Sequence, residues 1–156
     1  NENMDSVYNS IDSIIDEAKS KSAGKESFVK ELVKILIPSI CDSSSLVRNN
    51  VMRVLGATLE KVKVDDFPID QVVVALDFPD ETDRNKALYI LSSLATQPKY
   101  AEYIKSHAAD LLMANLKMFQ PNLHDNGYMV LTEISGKKYG DRDYKAWQDW
   151  LDSVAK

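Results

Sequence analysis

A single cysteine, Cys41, among 156 residues excludes an internal disulfide. With only two histidines, His107 and His124, the chain also lacks the Cys/His spacing of a zinc site. Glycine and proline number five each, so turns are sparse and the elements between them long. A many-stranded sandwich would need turn signals every ~8–12 residues. There is no glycine-rich phosphate loop: Gly136 and Gly140 flank a single turn, without a GxGxxG or Walker pattern. No apolar run reaches the ~18–20 residues of a membrane span, and no charged segment followed by an apolar one opens the chain as a secretory signal would. Positive charge is short too. Lys and Arg number 19 against 24 Asp and Glu, for a net charge of −5 and a pI near 5.0. These bases are dispersed, whereas a nucleic-acid groove needs clustered cations to displace counterions. The expectation is a soluble protein with no membrane span, no nucleic acid and no cofactor; its compartment stays open.

What the chain does have is helical periodicity. Met4, Val7, Tyr8, Ile11, Ile14, Ile15 and Ala18 form an i, i+3, i+4, i+7 stripe. A polar hinge around Gly24 follows, with Ser27 as the cap of a second helix through Val33 and Ile40, ended near Pro38. The serine-rich Asp42–Ser45 offers N-caps for a helix carrying Val47, Val51, Leu55 and Val62. Pro68 opens the next one. Val72-Val73-Val74 alone would fit a strand, but the pattern on both sides of it is helical. Pro79 to Asp83 begins a helix through Leu94, with its acids in the first turn, where the dipole favours them. Pro98 breaks that helix. Tyr100, Tyr103 and Ile104 mark a short helix, Ala108–Met118 another, Pro121 to Gly136 a long one, and Asp143–Val154 a closing one. Cys41 reads as a small buried hydrophobe or a helix-end residue, and His107 as a residue at a helix end.

Three of these helices are self-similar. Superposing Leu55, Leu91 and Leu131 brings Val51, Ala87 and Gly127 into one column, Val54, Ile90 and Val130 into another, and Arg48, Arg84 and His124 into a third. The members of that third column stand 36 and 40 residues apart, and each long helix follows a shorter amphipathic segment. A helix pair every ~40 residues is the period of HEAT and armadillo arrays, in which neighbouring pairs share one core. The motifs Val47-Arg48 … Val51 … Leu55-Gly56 and Asp83-Arg84 … Ala87 … Leu91 resemble the second helix of the HEAT-repeat family; His124 departs from it by replacing the Arg. Gly136-Lys137-Lys138-Tyr139-Gly140, followed by Trp147 and Trp150, looks like the closing turn and aromatic helix of bacterial HEAT-like proteins. The resemblance covers about residues 27–136. It implies one all-α domain over residues 1–156: an N-terminal helix and hinge (1–24), about three stacked antiparallel helix pairs in a short α-solenoid (27–136), and a C-terminal cap (137–156).

Within that frame the second helices line the concave face. The columns Asn49/Asn85/Asp125 and Arg53/Tyr89/Met129 then form a recognition strip. Arg and Tyr are favoured anchors at interfaces, and Asn and Asp can grip a partner's backbone amides. Arg48 and Arg84 are expected to bond to inter-repeat turns as structural residues. The His124-Asp125 pair is not a catalytic dyad, because adjacent helical residues do not face each other. The function expected is therefore non-catalytic: binding of a protein or peptide on the second-helix face, with the acidic overall charge favouring a basic partner. Two alternatives are an enzyme or cofactor lyase on the same scaffold, which needs a cleft of convergent acids, and carbohydrate or cell-envelope binding through Tyr144, Trp147 and Trp150, which needs exposed rings.

Overall fold

The computed structural model describes residues 22–154 of the chain, together with Asn9 and Ser13. Regular structure among the described residues is entirely helical. It runs α1 (Ser22–Leu36), a 3-10 turn (Ile37–Cys41), α2 (Ser45–Lys61), α3 (Ile69–Ala75), α4 (Glu81–Leu94), α5 (Pro98–His107), α6 (Ala109–Leu116), α7 (Pro121–Ser135) and α8 (Tyr144–Val154). The helix expected over Met4–Ser20 lies outside the described residues. No helix among those described is long and apolar enough to cross a membrane.

Proline and glycine set the boundaries. Pro38 sits in the 3-10 turn that ends α1, Pro68 is the residue before α3, and Pro98 and Pro121 are the first residues of α5 and α7. There the missing N–H costs nothing, because the first turn has no intrahelical acceptor for it. Gly136 ends α7 in the left-handed region, with φ 64°. The hinge around Gly24 is a correction: α1 starts at Ser22 and passes through both Gly24 and Ser27. A glycine costs a helix only ~1 kcal/mol, and α1 recovers that by burying Val29 and Val33, 0% and 4% exposed. Val72–Val74 is helical as well: Val72 and Val73 are buried and Val74 faces out.

The three long helices α2, α4 and α7 lie side by side, α4 between the others. Each also packs on the shorter element preceding it: the 3-10 turn, α3 and α6 respectively. The apolar repeat columns lie in the core except at Val54, which is half-buried. Leu55, Leu91 and Leu131 are fully buried, as are Ala87, Ile90 and Val130. The shrinking column Val51, Ala87, Gly127 reaches its limit at α7, where a Cβ on Gly127 would stand 3.3 Å from the Leu116 backbone N, so α6 and α7 approach closely. The extra helix α5 packs against α7 and α8 and reaches back to α3 and α4. From it, the buried Tyr100 hydroxyl accepts the Phe67 N–H at 2.7 Å and lies 2.8 Å from the Val64 and Asp65 carbonyls, pinning the loop between α2 and α3. At the C-terminal end, Trp147 is fully buried, donates from Nε1 to the Gly140 carbonyl at 2.9 Å, and meets Tyr128, Tyr139 and Trp150 edge-on.

Candidate functional site

Two polar systems run across the long helices. One follows the turns that lead into them. Arg48, in the first turns of α2, donates from Nη1 to the Asp42 and Ser43 carbonyls at 2.7 and 3.1 Å, closing the turn before its own helix. Arg84 of α4 repeats this on the Phe78 and Pro79 carbonyls at 3.0 and 3.4 Å. Both arginines thus bond to turns, but the inter-repeat location expected for those turns is corrected: each turn joins the short element of a pair to its own long helix. Arg48 also crosses to the next pair: its Nε and Nη2 donate to Asp83 Oδ2 at 2.9 and 2.7 Å, and Asn49 Nδ2 donates to Asp83 Oδ1 at 2.8 Å. Asp83 is fully buried, so it does more than complement the α4 dipole. A buried carboxylate needs all of these donors to offset its lost hydration. The neighbouring acids are engaged too. Asp80 caps α4 through the Thr82 N–H at 2.8 Å, and Gln120 Nε2 donates to Glu81 at 2.6 Å.

His124 takes the arginine's place in the third column. It is buried, with Nδ1 2.6 Å from the Leu116 carbonyl and Nε2 3.0 Å from Asp141 Oδ2. A carbonyl can only accept, so Nδ1 carries the proton; the Asp141 carboxylate then asks Nε2 to carry one as well. Both demands are met only by the imidazolium. The Asp141 hydrogen bond accordingly raises the His124 pKa against the opposing effect of burial, and the same bond lowers that of Asp141. A pocket of about 300 Å³ adjoins the pair, bordered by Phe119, Asp125, Arg142 and Tyr144. Since both ring nitrogens of His124 are engaged within the protein, the ring acts as a clamp between the α6–α7 turn and the segment leading into α8.

The second system lies further along the long helices. Arg53 of α2 and Lys86 and Tyr89 of α4 are half-buried, and Met129 of α7 is 54% exposed. The Tyr89 ring packs against Gly56 of α2, leaving no room there for a Cβ. Burial, and to a lesser degree the Arg53 charge, lowers the Lys86 pKa. One turn beyond Tyr89, Ser92 and Ser93 join Leu59, Lys63, Met129 and Glu133 in lining a groove of about 580 Å³ at the C-terminal ends of the three helices.

The structure thus divides the strip read from the sequence. Arg53, Tyr89 and Met129 sit on adjoining helices, and of the three Met129 lines the groove. Asn49 and Asn85 point between helices: Asn49 bonds to Asp83 and to the Ser45 carbonyl, and Asn85 Oδ1 accepts from Asn126 Nδ2 at 2.6 Å. Asp125 is exposed but borders the His124 pocket instead. Sequence reasoning missed Lys86. It lies three residues before Tyr89, a spacing that shares a helix face, but its own repeat column holds asparagines at 50 and 126 and drew no attention. Asp141 was missed because its partner lies 17 residues away across a turn. Cys41 is exposed at the end of the 3-10 turn, and His107 ends α5, stacked on Tyr103 at 4.0 Å. Trp147 and Trp150 are buried, so they offer no open aromatic face for sugars. No protein-family model matches the chain, and no curated protein matches it in sequence.

Proposed function

We propose that this chain is a protein-interaction module: a short HEAT-like solenoid that holds a protein or peptide segment along the face of its second helices, α2, α4 and α7. One observation carries the reading. Arg53, Tyr89 and Met129, far apart in sequence, fall on three adjoining helices, and Met129 lines the groove at their C-terminal ends. Their chemistry suits an anchor site, with a planar cation, a ring fixed against Gly56 and an adaptable thioether. The helices beneath are held by the buried core and the Arg48–Asp83 link, so binding would proceed with little rearrangement of the backbone.

The test is affinity capture with wild type beside an Arg53→Ala/Tyr89→Ala variant, followed by reconstitution of the captured protein from purified components. The reading expects one protein that binds wild type directly and loses the variant, while the variant's Tm stays within a few degrees. Equal direct binding to both would place the interface elsewhere.

A further inference from the structure

We propose that the N-terminal segment Met4–Ala18 turns back along α1 and covers the apolar face that the first helix pair presents. The inference is independent of the groove reading above. Val29 and Val33 of α1 point into the core. Phe28, Leu32 and Ile35, spaced i, i+4 and i+7, share a different stripe of the same helix. Phe28 and Leu32 are half-buried there, and Ile35 is 64% exposed. Leu46 and Val47, in the first turn of α2, are exposed as well. The later pairs differ. α4 lies against α2 and α7 against α4, so each of these pairs has a preceding one packed on it. Ahead of the first pair the sequence places residues 1–21.

Pattern and length both fit that segment. Its apolar stripe centres on Ile11. Asn9 and Ser13, each two residues from Ile11 and so about half a turn round a helix from it, are helical and exposed. These two positions face water, which leaves the opposite, apolar side to be buried. Only Lys19, Ser20 and Lys21 separate Ala18 from Ser22, where α1 starts. So short a connection makes neighbouring helices antiparallel. At a rise of about 1.5 Å per residue, Tyr8 then comes level with Leu32, and Met4 with Leu36. The same connection holds the segment at an effective concentration on the order of millimolar. A separate partner or a second copy has to exceed that to take the face instead. The segment would thus end the stack as a capping unit does, with one face on the core and one in water.

The experiment uses the full chain carrying Cys41→Ser and one of two cysteine pairs. Tyr8→Cys/Leu32→Cys joins the apolar side of the segment to α1; Asn9→Cys/Leu32→Cys is the control from its polar side. Dilute protein is oxidised with glutathione disulfide and followed on non-reducing gels. Thermal melts compare Ile11→Asp with Asn9→Asp in the otherwise unaltered chain. The proposal expects an intramolecular disulfide at least tenfold faster in the first pair than in the control, and a Tm several degrees lower for Ile11→Asp alone. Should Ile11→Asp fail to fold, the disulfide rates decide. Equal rates in the two pairs would overturn the proposal. With equal melts as well, the face is left to a separate partner; with Ile11→Asp alone destabilised, the segment docks elsewhere on the molecule. A first pair that oxidises to a covalent dimer would overturn it in favour of a second copy of the chain.

Discussion

His124 shows how a single substitution within a repeat changes the physics of a position while keeping its task. Arg48 and Arg84 hold turn carbonyls with a permanent charge; His124 holds the Leu116 carbonyl with a group that titrates. Its folded pKa lies above the ordinary 6.5, so its stabilisation is complete below 6.5 and is lost as pH rises through the raised folded value. Asp141, held below its ordinary 3.8, contributes fully above 3.8 and loses its part as pH falls through the lowered value. The clamp is therefore complete between these two ordinary values. Wild type is expected to lose a few degrees of Tm between pH 6 and pH 9, and Asp141→Asn to lose much less over the same range. Superimposable Tm–pH curves would contradict the clamp. The sequence marked His124 as the departure from its column but gave no sign of Asp141, because that contact depends on how the segment before α8 folds back.

At the scale of elements, the helices were legible wherever an apolar period met a proline or glycine stop. Pro68, Pro98, Pro121 and Gly136 mark ends that the structure keeps. Gly24 misled because tertiary burial of Val29 and Val33 outweighs one unfavourable residue. The superposed leucines identified the core, since a period of 3.6 directly reports which face is buried. What periodicity could not report is which polar residue on one helix reaches the next. Asn49 and Asn85 looked available on a helix wheel and are instead links between pairs. The strongest such link is Arg48–Asp83, where a fully buried carboxylate depends on the guanidinium of the preceding pair. Arg48→Ala leaves that carboxylate underbonded, so Tm should fall on the order of 10 °C. Arg84→Ala frees only turn carbonyls and should cost clearly less. Equal losses in two thermal melts would mean that Asp83 is not what couples α2 to α4.

For the whole molecule, a net charge of −5 holds no information about which residues the fold gathers. The helical architecture was readable from the repeat; the candidate site was only half readable, since periodicity puts Arg53, Tyr89 and Met129 in one column but does not report that Asn49 and Asn85 are bonded between helices. The central claim is that a partner lies on the face of the long helices. The most direct measurement places a photo-crosslinking benzoylphenylalanine at Met129, and separately at the exposed Val74 of α3, and irradiates each protein with the purified partner recovered by affinity capture. The account predicts a covalent adduct from position 129 and none from position 74; an adduct from position 74 with none from position 129 would contradict it.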